Sequence, residues 1–143
     1  MGFNKMKVSG VQLGSYPGDY ESNMRIIREL TERIAISDSP DLIAFTELMT
    51  GPYFCNIIDD KHFRYAESIN GPTVQTMLEL SSTFNTHIIG TFFEEEEVDG
   101  QKNYYNTAFV CSPTRGLIGR YRKVHLPKVN TKDLVTDEKY YFE

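Results

Sequence analysis

Glu47 and Lys123 are the residues whose surroundings most suggest chemistry. Glu47 follows the apolar run Leu42-Ile43-Ala44-Phe45 with only Thr46 between them. Lys123 sits inside the compact block Tyr121-Arg122-Lys123-Val124-His125-Leu126-Pro127. Each places one charge where a buried strand should end. A carboxylate and an ammonium so placed, far apart in sequence, would suit acyl transfer, as general base and as partner of a developing oxyanion. A Glu or Lys at a strand end is otherwise an ordinary solvated charge. The sequence around them favours function: an apolar strand feeds directly into Glu47, and Pro127 stops the strand soon after Lys123.

A nucleophile to match them is not evident. Cys111, flanked by Phe109, Val110 and Ser112, reads as a small core hydrophobe. Cys55 lies in the loop after Glu47 without the tight turn that usually presents a nucleophile, and reads as structural. A thiol hydrolase built from Cys55 and His62 is the remotest reading, since nothing orients the pair. His62, His87 and His125 share no metal-ligand spacing and no Cys-x-x-Cys accompanies them, so neither metal nor cofactor is expected. Glu94 to Glu97 reads as the solvated arm of a hairpin, because hard-cation loops alternate their ligands with Gly. His125 is expected to fix the loop after Lys123 through a hydrogen bond.

The elements that must position these residues follow from periodicity. Lys7 to Leu13 alternates as a first strand, closed by Tyr16-Pro17-Gly18-Asp19. Met24, Ile27, Leu30 and Ile34 recur at helical spacing between Tyr20 and Ile36, with Asp19 as N-cap. Leu42 to Phe45 reads as a strand buried on both faces, with Glu47 at its carboxyl end, where open α/β sheets bind ligands. An irregular loop covers Thr50 to Cys55. Gly71-Pro72-Thr73 opens a second helix carrying Val74, Met77, Leu78 and Phe84. His87 to Phe93, Tyr104 to Cys111 and Leu117 to Lys123 read as three more strands, the first two joined by a turn at Val98-Asp99-Gly100-Gln101. The order β-α-β-α-β-β-β predicts an α/β fold on a mixed sheet.

A chain of 143 residues, 40% hydrophobic and 24% charged, can bury one sizeable core and predicts a single domain, whole or in part. Its formal charge of -5, with the basic residues scattered, argues against a nucleic-acid partner. No stretch approaches the roughly 20 apolar residues of a membrane span, and no secretory leader is evident, so the cytoplasm is the expected compartment.

Together, VSGVQLG, PDLIAFTELMTGPYFC, INGPT, YYNTAFV and GRYRKVHLP resemble the nitrilase superfamily of carbon-nitrogen hydrolases over essentially the whole chain. The resemblance implies an α-β-β-α sandwich and a Glu-Lys-Cys mechanism, with Glu47 as general base and Lys123 as oxyanion-stabilising cation. Glu138, in Glu138-Lys139-Tyr140-Tyr141-Phe142, is similarly placed to the second Glu of many members. In that family the nucleophilic Cys follows another strand downstream. Residues 1–143 are therefore expected to be the N-terminal portion of one hydrolase domain, inactive alone, exposing apolar faces and unpaired edges. The implied partners are a small-molecule amide, carbamoyl or nitrile substrate and a second copy of the chain. The PYFC and EKYYF segments look most like the branch acting on N-carbamoyl amines and N-carbamoyl amino acids. The competing reading is a binding or interaction module that keeps this fold without its chemistry.

Overall fold

The computed structural model describes residues 5–132 and 134–143. Strand β1 (Val8–Val11) leads into helix α1 (Tyr20–Asp38), strand β2 (Leu42–Phe45) and, after a long loop, helix α2 (Pro72–Phe84). Three strands follow, β3 (His87–Val98), β4 (Gln101–Ser112) and β5 (Gly116–Arg122), then a small hairpin of β6 (Lys128–Asn130) and β7 (Val135–Asp137). Single 3₁₀ segments span Asp60–Tyr65 and Glu138–Tyr140. The main sheet has five strands in the order β1-β2-β3-β4-β5. β1, β2 and β3 run parallel, whereas β4 and β5 add antiparallel, so the mixed sheet is as expected.

Local chemistry accounts for the element ends. Asp19 caps α1 by accepting the Ser22 amide at 2.8 Å, and Pro72 occupies the first turn of α2, where no amide donor is needed. Asp99 and Gly100, both at positive φ, form the tight turn that joins β3 to β4. Gly90 faces Phe109 across the ladder. A Cβ there would stand 2.3 Å from the Phe109 ring, so only glycine fits beside that ring.

The two helices cover one face of the sheet. Ile27 of α1 and Met77 and Leu80 of α2 close over Ile43, Ile88, Phe92 and Phe109. Side chains alternate faces along a strand, so Phe93, next to Phe92, points to the opposite face. There it joins Leu48, Phe54, Cys55, Tyr141 and Phe142 in a second cluster. Farther along this second face the sheet is open: Val8 and Tyr121 are exposed, and a Cβ added at Gly10 or Gly119 would meet nothing within 4 Å. No helix among the described residues is long and apolar enough to cross a membrane.

The Glu94–Glu97 run departs from the sequence expectation. Glu94 is fully buried and only Glu97 is exposed, because β3 continues through all four residues to Val98. Glu94 accepts hydrogen bonds from Thr107 at 2.6 Å, Arg120 at 2.6 Å and Arg122 at 2.9 and 3.0 Å. Arg122 also lies 3.5 Å over the Tyr105 ring. Burial acts against the Glu94 charge, but Arg122, Thr107 and Arg120 outweigh it and hold the carboxyl below its usual range.

Candidate active site

The site is built just past the ends of β2 and β5 and against the middle of β4, on the sheet face away from the helices. After Phe45 the chain leaves β2 through a turn that places Leu48 in the left-handed region, φ 50°. That conformation costs a β-carbon residue on the order of 1–2 kcal/mol, and surrounding bonds hold it. Thr91 on β3 donates its hydroxyl to the Thr46 carbonyl and accepts the Met49 amide at 3.2 Å. The buried Asn23 of α1 donates to the Met49 carbonyl at 2.8 Å. Leu48 itself is buried in the second cluster. Glu47 is thus presented from a pinned turn, beside a cleft of about 320 Å³ lined also by Gln12, Tyr16, Thr46, Pro52 and Tyr53.

Lys123 follows β5 directly. Its neighbour Arg122 is tied to Glu94 on the helix-covered face, so alternation turns Lys123 to the opposite face. There its Nζ donates to Glu47 Oε1 at 2.7 Å. The same Nζ stands 2.9 Å from both oxygens of Glu138, hydrogen-bonding Oε1. Glu138 opens the second 3₁₀ segment and is 1% exposed. The structure therefore brings Glu47, Lys123 and Glu138 together as a minus-plus-minus cluster. Burial disfavours the Lys123 ammonium, but its hydrogen bonds and charge contacts with Glu47 and Glu138 outweigh that penalty and raise its pKa.

Asn106 on β4 completes the arrangement. It is buried, and its Nδ2 donates to Glu47 Oε1 at 2.7 Å while its carbonyl accepts the Lys123 amide at 2.8 Å. Glu47 Oε1 is occupied by two donors, and Oε2 carries no hydrogen bond among the described residues. Oε2 is then the oxygen free to take a proton. The motif YYNTAFV contained Asn106, yet its residue types alone did not assign it this contact. Its only local sign is a polar residue between Tyr105 and the apolar end of a strand.

Cys55 is buried beside the cluster, its carbonyl accepting the Asp137 amide at 2.8 Å. Burial, reinforced by the Glu138 and Glu47 charges, pushes its thiol up to about 12, which removes the thiolate needed for attack at neutral pH. His62 packs against Phe54 and shares a 3.0 Å hydrogen bond with Tyr141. Both residues therefore have structural work, and the Cys55–His62 reading loses its footing. Cys111 is fully buried in the main core. His125 is exposed and makes no hydrogen bond among the described residues, which corrects the expectation that it fixes its loop. Lys123 N–H to Asn106 and Glu138 N–H to the Pro127 carbonyl, 3.0 Å, hold that segment instead. No cluster of three metal-ligating side chains occurs among the described residues.

A hydrogen-bonded Glu-Lys-Glu cluster in which Glu138 is buried while Glu47 and Lys123, just past the ends of β2 and β5, stay open to solvent is a class of site that handles protons and stabilises negative charge. The chain belongs to the carbon-nitrogen hydrolase family, whose model matches residues 7–143. It is 32% identical to a probable nitrilase of Schizosaccharomyces pombe over 85% of its own length and 44% of that protein's. It is 30% identical to an N-carbamoylputrescine amidase of Solanum lycopersicum, over 87% of this chain and 39% of the relative. A carbon-nitrogen hydrolase from Helicobacter pylori superposes with a TM-score of 0.81 at 25% identity, covering 96% of this chain and 44% of that one. The chain thus spans less than half the length of each of these relatives.

Proposed function

We propose that this chain supplies the base and the cation of an amidase-type hydrolase that cleaves non-peptide carbon-nitrogen bonds through a Glu-Lys-Cys mechanism. The observation that carries the reading is Lys123 Nζ held between Glu47 at 2.7 Å and the buried Glu138 at 2.9 Å. The nucleophilic Cys belongs, on this reading, to sequence that follows Glu143, and residues 1–143 are the N-terminal portion of the catalytic domain. The matched share of the relatives, 39–44%, supports that division.

Glu47 Oε2 takes the thiol proton, and the thiolate attacks the amide or carbamoyl carbon. Lys123 faces the oxygen on which negative charge collects, while Glu138 keeps the ammonium in place. The proton held on Glu47 passes to the departing amine as the tetrahedral species collapses to a thioester. A water then gives its proton to the same oxygen and its hydroxide to the thioester carbon, returning acid and thiol. Base and cation each contribute on the order of 10²–10³ in rate. The PYFC and EKYYF segments favour an N-carbamoyl substrate over a simple amide.

The test is ammonia release by the chain extended through its downstream coding sequence, offered N-carbamoyl amines, ω-amides and nitriles. Release that depends on Glu47 supports the proposal. No release from any of the three, or release unchanged in Glu47→Gln, rejects it and favours a non-catalytic module of the same fold.

A further inference from the structure

Glu138 presents a problem that its ion pair alone does not solve. The carboxylate is 1% exposed, and Lys123, its cationic partner, is shared with Glu47. Glu138 Oε2 has no hydrogen bond among the described residues, although Nζ lies 2.9 Å away. A buried carboxylate needs donors beyond one shared ammonium to stay in place. The second donor is Tyr53, from the loop after the Glu47 turn, whose hydroxyl lies 3.2 Å from Glu138 Oε1.

The same hydroxyl lies 2.8 Å from Thr136 Oγ1, and Thr136, on β7, is buried and has no other side-chain partner among the described residues. A phenol has one proton to donate, and a carboxylate is a stronger acceptor than a hydroxyl. The arrangement that satisfies all three groups is therefore a relay in which Thr136 donates to Tyr53 and Tyr53 donates to Glu138. Burial is the main reason the Tyr53 phenol is raised above its usual value, with the Glu138 charge adding to it, so Tyr53 keeps its proton at neutral pH. Tyr53, 48% exposed as a residue, also forms part of the wall of the cleft that holds Glu47.

We propose that Tyr53, oriented by Thr136, is a positioning residue that holds Glu138 against Lys123. It acts through Glu138, and its importance for hydrolysis rests on the roles proposed above. The titratable and charged groups facing Glu138 are Lys123, Glu47, Tyr53 and Cys55, with Asp137 beside it in the chain and paired to Lys128 at 2.7 Å. Of these, Tyr53 and Lys123 are the two that donate to it.

Lys123 reports the effect without any hydrolysis being needed. Its rate of acetylation by acetic anhydride, read by peptide mass spectrometry against the exposed Lys132 in the same sample, follows the fraction of neutral amine at each pH. Tyr53→Phe should move the Lys123 profile down by about half a pH unit, roughly a threefold faster reaction at fixed pH. Thr136→Val should move it in the same direction by less. Glu138→Gln should move it further, and Tyr53→Phe should add nothing in the Glu138→Gln background. An unmoved profile in both Tyr53→Phe and Thr136→Val overturns the proposal. So does a Tyr53→Phe shift of equal size with and without Glu138, which would mark a general packing role. Because acetylation reads only the lysine, this result stands or falls apart from the ammonia-release assay.

Discussion

Asn106 contacts Lys123 through its backbone and Glu47 through its side chain, at 2.8 Å and 2.7 Å respectively. One residue of β4 therefore sets the spacing of the two opposite charges, which lie 76 positions apart in the chain. The ladder bond places the lysine backbone, and the amide side chain leaves only Oε2 of the glutamate free.

Replacing Asn106 by Ala should leave the Lys123–Glu47 pair formed but the carboxylate free to rotate. The extended protein should lose on the order of 10²-fold in kcat, the size of a small misplacement of a reacting group. Asn106→Asp should lose at least as much, because a second carboxylate would repel Glu47. Single-turnover kinetics check both, and wild-type rates in Asn106→Ala would sever the link between this contact and the chemistry.

Glu94 makes a stability prediction independent of activity. Removing the buried Glu94 carboxylate leaves the buried Thr107 hydroxyl without its acceptor and takes one of two carboxylate partners from the partly exposed Arg120 and Arg122, which keep Glu96, at a cost of about 1–3 kcal/mol. Glu94→Ala should therefore lower the urea midpoint sharply, whereas a substitution at the exposed Glu97 should change little. Equal midpoints for the two variants would return Glu94 to the solvated surface.

The same residue gives a pH dependence. The folded protein holds the Glu94 carboxyl below its ordinary value of 4.5. Its contribution to stability is therefore complete above that value and is lost as pH falls through the lower folded value. Thermal melts in acid should show a drop in Tm over that window that Glu94→Gln flattens. A parallel fall in both proteins would assign the acid sensitivity elsewhere.

Cys55 should resist alkylation. With its thiol near 12 and its side chain buried, iodoacetamide at pH 7.5 should label it only as fast as the chain opens, and Cys55→Ala should leave ammonia release by the extended protein within about twofold. Rapid labelling of the native chain with loss of activity would reinstate it as a nucleophile.

Gly90→Ala tests the packing that supports the site from beneath. The new methyl would meet the Phe109 ring at 2.3 Å, and overpacking of this kind costs about 1–3 kcal/mol. Gly90→Ala combined with Phe109→Leu should recover part of the loss in a denaturant titration.

Much of this arrangement was legible in the chain before folding was considered. The Asp19 cap, Pro72 at the start of α2 and the Asp99-Gly100 turn are local, short-range chemistry, and each marks an element end near its expected position. The apolar run before Glu47 and the block around Lys123 are also local patterns, so both charges could be assigned to strand ends. Glu138 came from family likeness alone, since a Glu in Glu138-Lys139-Tyr140 has no local sign of burial.

Contacts between distant segments carry no such sign. Whether Glu94 is solvated or buried depends on Arg120 and Arg122, which arrive with β5, 26 and 28 residues later. Asn106, Thr91 and Asn23 acquire their partners only when β4, β3 and α1 are set against the turn after β2. Composition and periodicity determined the α/β class, the order of elements and the ends of the strands, because those follow from each residue's neighbours along the chain. Only the tertiary structure decided that one ammonium lies between two carboxylates and that Tyr53 reaches Glu138 across 85 residues, because such distances are set by strand register and by which face each side chain takes.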